Sequence, residues 1–369
     1  MMTHFQRSHF VRFGLLILSF MTVVAGHASE RANRVNVIRV PGDAKAVKAQ
    51  LGANGAIHLM LDAEDGPRYV KSTDAGVSFS APMMIVDAES QKPGLKFQGE
   101  DLAIGKDGRV HVAMSNNAWN LKLPEEEWGF YYASLASGAN AFSSVRNLNR
   151  KPSEGFSLAA DERGSVTTCF LSGKLYTMLS HDNGQTFGEY EEPNSEWDPC
   201  NCCTTAAAYG ADGKLAVLYR EETNNERDMF VVLWDQRAGT KPSRTRISGT
   251  LWKLEGCPMT YFTVSRAGSG FVAAWPTKGR VYFACLDKDG AVLPPGEIKT
   301  PGESGMRNRL VALSASDGAT LIVWKKKDVL GWQLYDAKGQ PEGEPGSAKS
   351  PGSGTAGVVL PNGKFLVFP

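Results

Sequence analysis

The amino-acid sequence predicts an all-β protein, a β-propeller built from four-stranded antiparallel blades. Three observations support this prediction: a recurring glycine turn, the even interval between its copies, and the alternating apolar residues that flank each copy. The repeated segment, a glycine turn followed by alternating apolar residues, first occurs at Leu51 as LGANGAIHLML and occurs again at Ile104 as IGKDGRVHVAM. Strand–turn–strand repeats of about 40–50 residues are typical of propellers, in which each repeat forms one blade. The turn glycines are Gly55, Gly108, Gly164, Gly213, Gly270, Gly318 and Gly363.

The order of the strands predicts the number of blades. After each of the first six turns come another strand, a second turn and a further strand, which gives six four-stranded repeats from about Ala46 to Pro351. The segments Ala356–Leu360 and Lys364–Phe368 would leave one blade half made. The segment Val35–Arg39 could complete that blade and close the ring, which removes an exposed strand edge. We therefore predict seven blades, with six as the alternative.

The first residues of the chain resemble a secretory signal peptide. Arg7 and Arg12 precede an apolar stretch from Phe13 to Ala25, and small residues stand at the −1 and −3 positions of a cleavage site after Ala28. We predict a signal peptide at 1–28 and a single propeller domain at 29–369. The protein is then expected to be exported, periplasmic or extracellular, and to have no membrane span once the signal is removed.

The charge balance argues against nucleic acid as a partner. The chain has 40 basic and 39 acidic residues. Arg7 and Arg12 are the only charged residues in 1–28, so the mature chain would keep 38 basic residues against the same 39 acidic ones. A nearly neutral protein has no electrostatic reason to bind nucleic acid or an anionic membrane. We expect a monomer whose partner is a glycan or another small molecule.

The second turn of two repeats carries a motif of its own. STDAGVSF begins at Ser72 and SHDNGQTF begins at Ser180, and both read Ser-x-Asp-x-Gly-x-Ser/Thr-Phe. The carboxylate can accept backbone N–H bonds across a tight turn, glycine can adopt a positive φ, and phenylalanine can pack between blades. We therefore assign a structural role to Ser72, Asp74, Gly76, Phe79, Ser180, Asp182, Gly184 and Phe187.

This motif resembles the Asp-box of the sialidase-like (BNR) β-propeller family. The resemblance implies that these turns lie on the face opposite the ligand site, here called the lower face. Sialidases themselves have six blades, three arginines that clamp the sugar carboxylate, a tyrosine nucleophile activated by a glutamate, and an aspartate acid/base. If the protein is an enzyme, the resemblance implies an exo-sialidase-like glycoside hydrolase.

The opposite, upper face should carry the functional residues, because the loops between second and third strands and between blades meet there. An arginine fork suits a carboxylate since it binds both oxygens at once. The catalytic candidates are Asp101, Arg220 and Arg309. The candidate ligand-binding residues are Arg220, Arg227, Asp228, Trp197 and Asp198. Other polar residues placed on this face are Glu100, Glu154, Arg280 and Arg307.

The cysteines form the strongest local signal. Four of the six lie in two short segments that precede first strands, as Cys200-x-Cys202-Cys203 and as Cys257-Pro258. Both segments resemble motifs of secreted Asp-box propellers. Structural disulfides, for example from Cys257 to one member of the triplet, are one interpretation. A copper or zinc site of Cys200, Cys202, Cys203 and Cys257 is a second, and a redox-active thiol pair is a third.

Three functions therefore remain open from the sequence. The first is an exported sialidase-like propeller that binds or processes a glycan at the loop face. The second is a periplasmic protein that binds copper or zinc through its cysteines. The third is a non-catalytic scaffold held by structural disulfides. No cofactor is required by the sequence, and copper or zinc is the one that its cysteines would suit.

Overall fold

The protein is a closed ring of seven β-sheets around a central channel. The structure is a computed structural model that describes residues 34–350 and 354–369. The signal-peptide prediction for residues 1–28 lies outside the described residues. Within the described ranges, no helix is both long and apolar enough to cross a bilayer.

Six sheets follow the chain order from the channel outward, one sheet per blade. Blade 1 contains β2 (Lys45–Leu51), β3 (Ile57–Ala63), β4 (Gly66–Ser72) and β5 (Met83–Met84). Blade 2 contains β6 (Phe97–Ile104), β7 (Val110–Asn116), β8 (Tyr131–Leu135) and β9 (Arg146–Asn147). Blade 3 contains β10 (Glu154–Ala160), β11 (Val166–Leu171) and β12 (Leu175–Ser180). Blade 4 contains β13 (Ala206–Tyr209), β14 (Leu215–Arg220), β15 (Met229–Trp234) and β16 (Ser243–Arg246). Blade 5 contains β17 (Thr263–Ala267), β18 (Gly270–Thr277), β19 (Arg280–Leu286) and β20 (Ile298–Glu303). Blade 6 contains β21 (Val311–Ser314), β22 (Thr320–Lys326), β23 (Val329–Tyr335) and β24 (Pro341–Lys349).

Blade 7 joins the two ends of the described chain. It contains β25 (Ala356–Val359), β26 (Phe365–Phe368) and β1 (Val35–Val37), and β1 pairs in parallel with β26. Each first strand also contacts the first strand of the next blade, in the cyclic order β2, β6, β10, β13, β17, β21, β25 and back to β2. The predictions of seven blades and of closure by the N-terminal strand are therefore confirmed.

Blade 3 differs from the prediction of four strands. Its fourth strand is reduced to a single bridge, in which Thr177 and Glu191 exchange backbone hydrogen bonds of 2.9 and 2.7 Å. Pro193 follows two residues later and has no N–H to extend the pairing. The described residues also contain two short 3-10 turns, Lys106–Gly108 and Glu125–Glu127.

The hydrophobic core lies between blades rather than at one centre. Each of the seven interfaces between neighbouring sheets is filled by its own cluster of buried side chains. The two Asp turns add aromatic contacts across interfaces: the ring of Phe79 lies 6.0 Å from that of Phe368, and the ring of Phe187 lies 5.1 Å from that of Tyr132. Each sheet therefore packs apolar side chains against a neighbouring sheet on both of its faces.

The two Asp turns share one hydrogen-bond pattern. Asp74 accepts from the Ser72 hydroxyl at 2.8 Å and from the Ser78 N–H at 2.9 Å. Asp182 accepts from the Ser180 hydroxyl at 2.7 Å and from the Thr186 N–H at 2.9 Å. These bonds hold the pKa of each carboxyl well below its ordinary value, at about 2. The carboxylates are engaged in closing their own turns, in accordance with a structural role.

Candidate functional site

The upper mouth of the channel is a solvent-open cavity lined by charged and aromatic side chains from several blades. Lys48 lies on β2, Glu100 and Asp101 lie on β6, Tyr261 precedes β17 and Arg309 precedes β21. First strands line the channel, so residues from blades 1, 2, 5 and 6 meet there although they are far apart in sequence. This cavity is the first of three clusters that could carry chemistry.

Glu100 lies at the centre of this group. Its Oε1 accepts a hydrogen bond from the Ser115 hydroxyl at 2.6 Å, and its Oε2 lies 3.5 Å from Nη2 of Arg309. Its side chain is only 11% exposed. Burial raises the pKa of the Glu100 carboxyl, although the charge of Arg309 lowers it and the neighbouring Asp62 and Asp101 raise it further. A carboxyl group with a raised pKa can act as a proton donor near neutral pH.

Arg309 spans the channel mouth. It donates 3.0 Å hydrogen bonds to the backbone oxygens of Gly99 and Glu100, and its guanidinium lies 4.9 Å from the ring centre of Tyr261. Burial raises the pKa of the Tyr261 hydroxyl. Most of the donors of Arg309 are therefore occupied by the protein itself. The positive charge of Arg309 lies beside the Glu100 carboxyl group, which itself lines the cavity.

Asp101, the first catalytic candidate, ties three blades together. Its Oδ1 accepts from the Leu102 N–H at 2.9 Å and lies 3.2 Å from Nζ of Lys48, while its Oδ2 accepts from the Leu158 N–H at 3.0 Å. The residue is 5% exposed and lines the same cavity as Glu100. These bonds fix the carboxylate in position between blades 1, 2 and 3.

A buried tyrosine–glutamate pair forms the second cluster. The Tyr219 hydroxyl donates to Oε2 of Glu221 at 2.7 Å, and Nη1 of Arg244 donates to the same hydroxyl and to both carboxylate oxygens at 2.9 Å. Tyr219 is fully buried, and burial together with the hydrogen bond to Glu221 raises the pKa of its hydroxyl. Although the residue types match a sialidase nucleophile pair, a buried phenol with a raised pKa is not an activated nucleophile.

The cysteine segments form the third cluster, on the upper face between blades 4 and 5. Cys202 and Cys257 form a disulfide, and their Cα atoms lie 6.2 Å apart. Cys200 and Cys203 are free thiols with 3% and 2% exposure. The Cys200 sulfur lies 3.5 Å from each of the Cys202 and Cys203 sulfurs. A disulfide within the cluster was one of the three interpretations of the sequence, and it leaves two thiols rather than four.

Two arginines surround this thiol pair. Arg220 is 1% exposed, and it donates to the backbone oxygen of Arg227 at 2.7 Å and to that of Pro276 at 2.5 Å. Arg227 is 7% exposed, and its Nη1 donates to the Cys200 sulfur at 3.4 Å. The hydrogen bond between the two sulfurs and the charge of Arg220 lower the pKa of the Cys203 thiol. The same hydrogen bond, together with burial, raises the pKa of the Cys200 thiol.

The remaining candidate ligand residues lie apart from the channel cavity. Trp197 is 7% exposed and stacks on Tyr219 with ring centres 6.1 Å apart. The carboxylate of Asp198 is 60% exposed and lies 2.7 Å from Nζ of Lys174. Asp228 lies 2.9 Å from Nη2 of Arg246. Trp197 is thus a packing residue between blades, and the two aspartates form ion pairs at the rim.

The candidate arginines within the described residues do not assemble into a carboxylate clamp. Arg220 is enclosed by backbone carbonyls and the Trp252 ring, Arg280 pairs with Glu303 at 2.8 Å, and Arg309 lies against Glu100. Each has different neighbours, and the guanidinium of Arg220 is not accessible to a ligand. Arg220, predicted as a catalytic and ligand-binding residue, has a side chain that is 1% exposed, so its guanidinium faces the protein interior rather than the cavity.

Tyr261 and Arg244 were missed by sequence reasoning. Tyr261 lies three residues after Pro258, so its position between the Cys257-Pro258 segment and a first strand was the available signal. Arg244 lies on β16, an outer strand whose basic residues read as solvent-exposed. Only the sheet register, which places Arg244 opposite Val232 on β15, brings its side chain over Phe230 at 4.1 Å from the ring centre.

Known structures share the propeller fold at low sequence identity. A polysaccharide lyase of family PL25, an ulvan lyase, has a TM-score of 0.54 at 10% identity, covering 88% of this chain and 86% of that chain. A chain of the mitotic checkpoint complex has a TM-score of 0.51 at 13% identity, covering 86% and 81%. An α-L-arabinanase of Penicillium chrysogenum has a TM-score of 0.50 at 12% identity, covering 84% and 94%.

No family model matches the chain, and no curated protein matches its sequence. The likeness to solved structures extends to the β-propeller fold and does not single out the sialidase-like family. Because one fold can host unrelated functions, function has to be argued from the site itself.

Proposed function

We propose that this protein binds a glycan at the upper mouth of its channel, with Glu100, Arg309 and Tyr261 as the central residues. The observation that supports this proposal is the contact between a carboxyl group with a raised pKa and a guanidinium inside a cavity open to solvent. Sugar hydroxyls need convergent donors and acceptors, and an aromatic ring beside them provides an apolar surface.

The comparisons support a glycan over other ligands only by analogy. The ulvan lyase was also solved bound to a saccharide of glucuronic acid and sulfated rhamnose, and the arabinanase was solved with arabinobiose. Both are propellers that act on polysaccharides, whereas the mitotic checkpoint chain has the same fold without such a role in its name. Because the fold alone does not determine the ligand, the proposal depends on the polar residues of the cavity.

Processing of the bound glycan would use Glu100 as the proton donor. A carboxyl with a raised pKa can protonate the oxygen of a breaking glycosidic bond, and a second carboxylate nearby can remain ionised. Asp101, fixed between three blades, lines the same cavity as Glu100 and is the second carboxyl group of this proposal. A tyrosine nucleophile of the sialidase type is not part of this mechanism, since Tyr219 is buried.

A binding experiment tests the proposal. The wild-type protein is applied to an array that includes neutral, uronic-acid and sialylated oligosaccharides, and hits are measured by calorimetry. Glu100→Gln is expected to weaken binding at least tenfold, because an amide replaces the carboxyl group at the centre of the cavity. Tyr219→Phe, a matched change in a buried polar group outside the cavity, should bind like the wild type. Absence of any glycan ligand, or equal binding by Glu100→Gln, would disprove the proposal.

The catalytic part has its own readout. If the wild type releases reducing or unsaturated ends from a bound polysaccharide, Glu100→Gln should lower that rate at least about 100-fold. Tyr219→Phe should keep it. Loss of activity in Tyr219→Phe with correct folding would instead indicate a sialidase-type nucleophile.

We also propose export, on the basis of the basic, apolar and small-residue order of the first 28 residues. Expression of the full chain in a Gram-negative host, followed by fractionation and N-terminal sequencing, tests this directly. Mature protein that begins at Ser29 in the periplasm or medium is the expected result. Uncleaved protein in the cytosol would contradict it.

A further inference from the structure

The free thiols of the third cluster form a closely spaced pair. Cys200 and Cys203 have the spacing Cys-x-x-Cys, and a backbone bond of 3.0 Å from the Cys203 N–H to the Cys200 oxygen closes the turn between them. Their sulfurs lie 3.5 Å apart. Together with Cys202 they form a group whose three sulfurs all lie within 4.8 Å of one another. Soft ligands gathered in this way favour soft metal ions.

The surrounding charge is unusual for a pair of neutral thiols. In the described part of the chain, Arg220 makes no ion pair with a carboxylate, and its buried Nε has no hydrogen-bond partner. Arg227 has one distant acidic neighbour, with Nη2 at 3.8 Å from Oε1 of Glu222. A buried guanidinium without a counter-charge is costly. Nη1 of Arg227 lies 3.4 Å from the Cys200 sulfur, and the Cys200 N–H donates to the backbone oxygen of Arg220 at 2.8 Å, so an anion at Cys200 and Cys203 would lie beside both arginines and balance their charge.

The net charge of the metal centre distinguishes a monovalent from a divalent metal ion. Two thiolates and a divalent ion form a neutral centre, whereas two thiolates and a monovalent ion form a centre with a net charge of −1. Only the centre with the monovalent ion is an anion that can balance the two buried arginines. Zinc additionally takes four ligands in structural sites, and the Cys202–Cys257 disulfide leaves two thiols. Cu(I), a soft monovalent ion, accepts two thiolates.

We propose that Cys200 and Cys203 bind one Cu(I) ion, with Arg220 and Arg227 stabilising the anionic copper–dithiolate centre. The Cys202–Cys257 disulfide is not a ligand but holds the two segments together beside the site. Cys257 is exposed and Cys202 is partly exposed, so the site lies close to solvent at the upper face. This site is separate from the glycan cavity and does not depend on the proposed function.

The test is a copper titration under anaerobic conditions. Protein with its disulfide intact is titrated with Cu(I) supplied as its acetonitrile complex, against the competing chelator bicinchoninate. We expect one Cu(I) per chain, a thiolate-to-copper absorption band in the ultraviolet, and a higher thermal unfolding temperature. Zn(II) alone should produce neither the stoichiometric binding nor the temperature shift.

Variants separate ligands from neighbours. Cys200→Ser and Cys203→Ser should each lower copper affinity at least 100-fold, while Cys169→Ser, which alters another fully buried free thiol, should leave it unchanged. Arg227→Gln keeps both thiols and should weaken copper binding about tenfold without changing the stoichiometry. It serves as the informative variant if a cysteine variant fails to fold.

Three results would overturn the proposal. One is a wild-type protein that binds no Cu(I). Another is undiminished copper binding by a folded Cys200→Ser or Cys203→Ser variant. The third is peptide mapping of the native protein that finds Cys200 and Cys203 joined to each other, which would assign the pair to thiol–disulfide chemistry instead.

Discussion

Arg309 donates a 3.0 Å hydrogen bond to the backbone oxygen of Glu100, although the two residues are 209 positions apart in the chain. Arg309 precedes β21 of blade 6 and Glu100 lies on β6 of blade 2, so the bond reaches across the channel rather than between neighbours. The ring is therefore held together at its mouth by a polar contact as well as by the interfaces between blades. The same contact places a cation beside the Glu100 carboxyl.

Arg309→Gln should destabilise the protein by about 3–6 kcal/mol, because hydrogen bonds from a charged donor contribute about 1.5–3 kcal/mol each and two are lost. Urea unfolding followed by fluorescence measures the change. Arg307→Gln is the matched control: Arg307 is exposed two residues away, and its replacement should change the free energy of unfolding by less than about 0.5 kcal/mol. Equal effects of the two variants would show that the cross-channel bonds are energetically unimportant.

His58 and His111 predict an acid-sensitive fold. They occupy equivalent positions on β3 and β7, and each bonds a tyrosine hydroxyl, Tyr69 at 2.7 Å and Tyr132 at 2.6 Å. Burial lowers the pKa of both from 6.5 to about 4. Between these two values the unfolded chain binds protons that the folded protein does not. The free energy of unfolding should therefore fall as pH decreases from about 6.5 to about 4, by up to about 3 kcal/mol per histidine.

Chemical denaturation of the wild type and of His58→Gln and His111→Gln, at several pH values across this window, checks that prediction. Each substitution removes one titrating group and should flatten the pH dependence. His181→Gln, which changes an exposed histidine in a turn, should leave the dependence as it is. An unchanged slope in both buried-site variants would mean that other groups control acid unfolding.

The carboxylates of the Asp turns should matter for stability and not for ligand binding. Asp74→Ala and Asp182→Ala each remove several hydrogen bonds that close a turn on the lower face, so both should lower the thermal unfolding temperature. Asp43→Ala, at an exposed loop carboxylate, should have little effect. Glycan and copper binding should be retained by all three. Loss of ligand binding in a folded Asp182→Ala variant would contradict the structural role.

The architecture was predictable because it repeats. Seven glycine turns and two Asp turns are local signals, and their spacing alone predicts blades in chain order. Even closure by Val35–Val37 follows from counting strands, since the β25–β26 pair would otherwise be a two-stranded blade with the outer edge of β26 unpaired. The single bridge that replaces the fourth strand of blade 3 was not predicted, because one proline decides it and the apolar pattern before it is weak.

The site was predictable only in part, because it is built from contacts between distant blades. Sequence order places Glu100 and Arg309 on one face, yet nothing in it shows that they touch across the channel. Burial was the larger source of error: Arg220 ends strand β14 next to a loop, a position typical of a ligand-binding arginine, and is 1% exposed. The cysteine clustering was visible in the sequence, whereas the choice of Cys202 as the partner of Cys257 depends on the geometry of the turn.

Glu100→Gln should become more stable relative to the wild type as pH rises. Burial raises the pKa of the Glu100 carboxyl above its ordinary value of 4.5, so above pH 4.5 the folded protein retains a proton that the unfolded chain loses. The wild-type free energy of unfolding therefore falls with increasing pH until the folded-state pKa is passed, and this contribution is then constant. Glutamine cannot ionise and still offers an oxygen to Ser115, so the variant lacks this loss.

The measurement is the difference in free energy of unfolding between Glu100→Gln and the wild type at intervals from pH 4 to pH 8. Asp62, whose pKa is also raised by burial, is present in both proteins, so much of its contribution cancels. Glu126→Gln, at an exposed acid, should give a difference that stays nearly constant with pH. A constant difference for Glu100→Gln as well would show that Glu100 is ionised in the folded protein, and the proton-donor role at the channel mouth would then lose its physical basis.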